Sequence, residues 1–153
     1  MILTIIVLIF LMAPISLFIH ELGHVLPGLF FGSERSIIHI GRGSTLFRWR
    51  GKKLELSIQL WFFQGAYSIN ERSPVFSNHE KIWISVGGPL LNGLLAFILF
   101  VFFSELELPY VKVFLLFNLY LAVVNLIPFS FKGKGSDGYR VWQLLRRKWK
   151  RVE

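Results

Sequence analysis

Residues 1–31 carry one formal charge, on Glu21, and are otherwise almost wholly apolar. Backbone N–H and C=O groups in lipid must be satisfied within their own segment, so a stretch like this has one stable form, a helix. Fully helical, it is about 46 Å long against a hydrocarbon core of about 30 Å. It must tilt, protrude or bend, and Pro14 and Pro27 are the places for a bend. Two more apolar runs, 82–103 and 110–128, are also long enough to cross. These three runs explain the 54% hydrophobic share and the mean hydropathy of +0.56. The reading is one membrane-embedded domain over 1–153, mainly α. It has three transmembrane helices, a small cytoplasmic β-hairpin or sheet insertion at 32–81 and a C-terminal amphipathic helix at 139–151. The apolar start lacks the basic lead of a signal peptide, and cleavage there would remove the histidines that follow.

The first span ends in His20-Glu21-Leu22-Gly23-His24. On a helix, i and i+4 share a face, so His20 and His24 can offer two imidazoles to one ion. Glu21, beside them, can reach a water on that ion; two ligands and a general base on one turn are the H-E-x-x-H arrangement of zinc peptidases. The alternative is a pair of ordinary structural histidines. Ionisable groups in an apolar span are costly, however, and are functional by default. His20 lies about 28 Å along the helix from residue 1, so the site sits toward the second membrane face. A catalytic zinc takes three protein ligands and an open position. Asp137, the only aspartate, is the leading candidate for the third, and the glycines at 133, 135 and 138 give its loop freedom to return. Glu34 and Glu80 are alternatives. Asp137 could instead cap the tail helix.

Within 32–81, the runs 36–40, 45–50 and 53–60 are β-prone, and the last alternates Leu54, Leu56, Ile58 and Leu60 with polar residues. A small antiparallel sheet beside the site is expected, its open edge able to hold an extended substrate; a solvated loop is the alternative. His39 and His79 have no ligand spacing to the motif. Ser77 and Glu80 form a capping box ahead of the second span. That span holds Gly87, Gly88 and Asn92; the glycines suit close helix packing. Asn125 and Pro128 close the third span. The amides of Asn92 and Asn125 are candidates to bind substrate backbone or a developing oxyanion.

Charge sets the expected orientation. Of 17 Lys and Arg, eight lie in 32–81, eight follow Pro128, and the last is Lys112. The positive-inside rule then puts the N-terminus outside, and the 32–81 loop and C-terminus in the cytoplasm. His20, His24, Asn92, Asn125 and Asp137 converge near the cytoplasmic face. In the tail, Trp142, Leu145 and Trp149 share one face among basic residues, which suits an anionic lipid surface. Nothing in the chain resembles a base-reading motif, so the net charge of +8 is not taken as a nucleic-acid footprint.

These residues resemble the site-2 protease family of intramembrane zinc metalloproteases, in a minimal three-helix form. His20-Glu21-Leu22-Gly23-His24 is similar to its first-helix motif, Gly88-Pro89-Leu90-Leu91-Asn92 to its G-P-x-x-N element, and Asn125-Leu126-Ile127-Pro128 with Asp137-Gly138 to its N-x-x-P…D-G element. The resemblance implies one zinc on His20, His24 and Asp137, Glu21 as catalytic base, and membrane-protein substrates cut in their transmembrane segments. It implies a multi-pass protein, expected in the cell membrane. The Asn125-to-Asp137 spacing exceeds the common family form, as though 129–136 were inserted. Rival readings are a catalytically silent scaffold of the same fold, or a small ion- or proton-conducting component. Oligomeric state is left open.

Overall fold

The computed structural model describes residues 2–103 and 108–149. The first span is one continuous helical rod, Ile2–Phe30, made of α1 (Ile2–Val7), a π-helical turn (Leu8–Met12) and α2 (Ala13–Phe30). The wide turn sits where Pro14 requires it. Proline offers no N–H to the carbonyl four residues back and its ring crowds that carbonyl, so the turn before it loosens. Two more helices are long and apolar enough to cross a membrane, α3 (Asn78–Phe103) and α4 (Pro109–Leu126). The chain is an integral membrane protein.

Helix α3 starts at Asn78, before the expected residue 82, because the capping box holds its first turn. The Ser77 N–H donates to Glu80 Oε2 at 2.6 Å, and the Glu80 N–H donates to Ser77 Oγ at 3.4 Å. Arg72 adds a two-pronged contact to the Glu80 carboxylate at 2.8 and 2.9 Å. Helix α5 runs Asp137–Trp149. The expected continuation to residue 151 and the acidic residues 104–107 fall outside the described residues.

Helices α2 and α3 pack antiparallel at unusually small residues. A side chain on Gly23 would strike the Gly87 carbonyl, and one on Gly87 would strike the Gly23 carbonyl. Pro27 has no N–H, so the Gly23 carbonyl loses its helical partner and is free to face Gly87. This contact sets a register. His24 lies opposite Gly88, and one turn earlier His20 lies opposite Asn92. Both pairs repeat at i and i+4, in opposite chain directions.

Between the first two spans lie β1 (Arg35–Ile40), β2 (Thr45–Arg50), β3 (Leu54–Gln59) and β4 (Ala66–Glu71), in the order β2-β3-β1-β4. The expected all-antiparallel arrangement is not what forms. β1 and β3 pair in parallel at the centre, while β2 and β4 pair antiparallel at the two edges. Strand β4 was not expected at all. Its outward residues, Tyr67 and Ile69, are half exposed, whereas Ala66, Ser68 and Asn70 face α2. Its inner face is polar because it faces the site, so the usual apolar-in alternation is inverted.

The sheet does not stand beyond the end of α2; it folds back along it. Ile38 and Ile40 pack on Val25 of α2, with Phe18, Leu22 and Leu29 around them. In the β3–β4 loop, Phe62 and Phe63 meet Phe10 edge-on, at 6.4 and 5.0 Å between ring centres. Phe10 is about 15 Å along the helix from His20. On the opposite face of the sheet, Glu55 receives Arg35 at 3.0 Å, Arg50 at 3.2 Å and Arg48 at 3.7 Å. The hydrogen bond from Arg35, set against partial desolvation and helped by Arg50, holds the Glu55 carboxyl below its ordinary range.

The long connection between α4 and α5 resolves into a two-stranded hairpin, β5 (Ser130–Phe131) and β6 (Lys134–Gly135). Lys132 and Gly133 at its tip both have positive φ, 49° and 78°, as a two-residue I′ turn requires. The hairpin's base is closed by Ser136. Its N–H donates to the Phe129 carbonyl at 2.9 Å and its hydroxyl to the Ile127 carbonyl at 2.6 Å. The extra residues are therefore extruded sideways, and the chain re-enters at Asp137 almost where it left.

Candidate metal centre

Three side chains from two helices meet at one point. His20 Nε2 and His24 Nε2 are 3.1 Å apart, and Asp137 Oδ2 lies 3.1 Å from the first and 3.4 Å from the second. All three residues are buried. Zinc–nitrogen bonds of about 2.0–2.1 Å at tetrahedral angles place ligand atoms about 3.4 Å apart, close to these separations. Glu34 and Glu80 are not in the cluster; Glu80 is spent on Arg72 and Ser77.

The outward ring nitrogens show what the inward ones must be. His20 Nδ1 lies 2.8 Å from Asn92 Oδ1, and His24 Nδ1 lies 2.7 Å from the Ile84 carbonyl. Both of these partners are acceptors, and at His24 the short Ile84 contact outweighs the Gly88 N–H at 3.3 Å, so both Nδ1 atoms are assigned the proton and donate. The Asn92 side is fixed because its NH₂ is otherwise used, donating to Asn118 Oδ1 at 2.7 Å and to the Ser16 carbonyl at 3.2 Å. Each neutral imidazole then turns a bare Nε2 lone pair inward, toward a carboxylate oxygen. Three electron-pair donors with no proton among them repel one another unless a cation sits between them. The donor set thus fits a divalent metal, and two nitrogens with one oxygen suit zinc.

Asp137 is free for this role because another residue caps α5. Ser136 Oγ accepts the Tyr139 N–H at 3.1 Å, which is the N-cap bond. As a metal ligand the Asp137 carboxylate would be ionised.

Glu21 lies on the same turn as the histidines and lines the same cavity of about 470 Å³. The Ser68 hydroxyl on β4 donates to Glu21 Oε2 at 2.6 Å. Among the described residues, nothing bonds the other carboxylate oxygen. Asn70, two residues along β4, donates to the His24 carbonyl at 3.1 Å. Strand β4 is an edge strand, and its inner residues form one wall of the cavity.

The two asparagines singled out from sequence part company. Asn125 lines the cavity, with its amide nitrogen donating to the Leu121 carbonyl at 2.9 Å. Asn92 is completely buried, and its side chain is consumed by His20, Asn118 and Ser16. Its NH₂ has no hydrogen left for a substrate or an oxyanion, the role expected from sequence; the amide holds the His20 ring instead. Its partner Asn118 was missed. Asn118 is also completely buried and donates to Ser16 Oγ at 3.0 Å and to the Phe114 carbonyl at 2.8 Å. The signal for it was present, since a polar amide inside an apolar span, two turns before Asn125 on the same helix face, needs a partner.

A His-His-Asp cluster with a carboxylate alongside, walled by membrane-spanning helices, defines the site of a membrane-embedded metallopeptidase. The family model of Peptidase family M50 matches residues 6–108, about two thirds of the chain. The protein belongs to this family, the site-2 proteases, which are metal-dependent intramembrane proteases. The match takes in His20, Glu21, His24 and Asn92 and stops before Asp137, so the third ligand rests on geometry alone. No curated protein matches the chain at a significant level.

Proposed function

We propose that this protein is a zinc-dependent intramembrane endopeptidase that cuts transmembrane segments of membrane proteins near the cytoplasmic face. The observation that carries the reading is the convergence of His20, His24 and Asp137 beside Glu21, in a cavity walled by an edge strand. His20, His24 and Asp137 hold the metal, and Asn92 and Ile84 fix the imidazole tautomers. A bound zinc supplies Lewis acidity, which brings the pKa of a water toward about 7. Glu21 accepts the proton of the attacking water through its unbonded oxygen and returns it to the leaving amine. The substrate unwinds and adds to the free edge of β4, which aligns its scissile carbonyl with Glu21. Asn125 is the neutral donor placed to meet the substrate backbone. The Lys and Arg distribution orients the N-terminus outside and α5 in the cytoplasm. Trp142 and Leu145 of α5 are exposed and face anionic lipid.

The test is cleavage of a single-span substrate in proteoliposomes, with zinc content measured on the same preparation. Glu21→Gln should retain zinc and lose cleavage; His20→Ala and His24→Ala should lose both. Normal turnover by Glu21→Gln would reject the reading in favour of contamination or another chemistry. Absent turnover by wild type with full zinc occupancy would favour a silent scaffold.

A further inference from the structure

A second cavity, of about 1010 Å³, lies beside the first. The two share Ala66 and Tyr67, where β4 begins, and Arg140 of α5. Arg42, from the turn after β1, and Lys134, from the hairpin, complete a ring of three cations, with the amides of Gln64 and Gln143 between them. No carboxylate lines this cavity, and among the described residues none of the three cations is in an ion pair. Cations that face one another without a counter-charge repel, and an incoming anion relieves that repulsion.

Resting on the endopeptidase reading above, we propose that this cavity receives an acidic stretch of the substrate chain, on the flank that passes Ala66. Continuity decides between a peptide and the other plausible occupant, an anionic lipid. A strand laid on β4 opposite Ser68 advances about 3.4 Å per residue, so it passes Ala66 and enters the ring of cations about two to four residues from the scissile bond. The donors are of the kinds that bind carboxylates: two guanidiniums, an ammonium and two amides. The cavity is thus a specificity site. It selects substrates with Asp or Glu on one side of the cut and rejects those with Lys or Arg there.

The experiment uses the full chain in nanodiscs of phosphatidylcholine alone. Three matched single-span substrates carry acidic, amide or lysine residues two to four positions from the cut, on each flank in turn. Wild type should cleave the acidic form with about three- to tenfold higher kcat/KM than the amide form, on one flank only, the difference lying in KM and shrinking with salt. Combined Arg42→Glu and Lys134→Glu should invert the order, so that the lysine substrate becomes the best. That gain also shows that the variant is folded, and the wild-type series decides alone if it is not. Equal cleavage of all three substrates by wild type overturns the proposal. So does a preference that follows added phosphatidylglycerol rather than substrate charge, which would assign the cavity to lipid. Absence of Glu21-dependent cleavage of every substrate, the amide form included, instead rejects the endopeptidase reading itself.

Discussion

The Ser68 hydroxyl donates a 2.6 Å hydrogen bond to Glu21 Oε2, tying the carboxylate that would act as base to the strand that would hold the substrate. Hydrogen bonds to charged groups contribute about 1.5–3 kcal/mol. Ser68→Ala should therefore keep zinc and lower kcat by on the order of tenfold, because the freed carboxylate samples unproductive rotamers. Parallel zinc analysis and steady-state kinetics check this; loss of zinc in Ser68→Ala would show that the contact serves folding of the site instead.

Asn118 reaches the site through Asn92. Removing it leaves a buried amide with one fewer acceptor, at a cost of about 1–3 kcal/mol. Asn118→Leu should weaken zinc affinity by roughly 10–100-fold, as outer partners of metal-bound histidines do. Asn92→Leu should do at least as much. In the double variant the two losses should fall well short of their sum, because both act on the same His20 ring. Competition with a chelator measures all three affinities, and simple additivity would break the proposed chain.

Gly88 should tolerate no side chain, since a Cβ there would press on the His24 ring. Gly88→Ala is expected to lose zinc. Gly93→Ala, on the same helix, would place its Cβ 3.7 Å from Ala122, an ordinary contact, and should bind zinc as wild type does. Equal behaviour of the two alanine variants would argue against the α2–α3 register described above.

The hairpin 130–135 should be dispensable for metal binding. Phe129 and Ser136 are already hydrogen-bonded to each other. Replacing the six residues between them with Asn-Gly, which suits a I′ turn, should leave zinc stoichiometry unchanged. A variant that inserts in the membrane but binds no zinc would show that the hairpin itself places Asp137.

The contact of Phe62 with Phe10 predicts that the sheet's loop end lies at bilayer depth. The chain has no cysteine, so single cysteines can be introduced and spin-labelled without background. A label at Phe62 should be relaxed by oxygen, as in lipid, and one at Lys53 by a water-soluble nickel reagent. Aqueous accessibility at both would return the sheet to bulk water.

The spans, the capping box and the histidine pair could be read from the chain because each is a periodic or local pattern. The i, i+4 spacing of His20 and His24 has one meaning on a helix, and the apolar flanks require the helix. Strand β4 could not be read, because its inward residues Ser68 and Asn70 serve the site and invert the usual alternation. Ser136 and Asp137 were ambiguous for a different reason. Both are good caps and they are adjacent, so only the three-dimensional path decides which one caps and which faces the histidines. The 129–136 stretch looked like a flexible loop because two positive-φ positions in a row cannot be inferred from Lys132-Gly133 alone. The parallel pairing of β1 and β3 depends on β2 stepping to the outside, a long-range choice that no local run records.

Asp137 is 117 positions from His20. An ion gripped by both closes almost the whole described chain into a ring. Cross-links around a loop of about 100 residues remove about 4.7 kcal/mol of chain entropy from the unfolded state. A metal in this place would be a clasp as well as a reagent. Without it, α5 is held mainly by its packing on α3 and α4, and protease should nick the chain near Ser136 before it touches the sheet. Metal supply would in that way govern how long the protein survives as well as how fast it works.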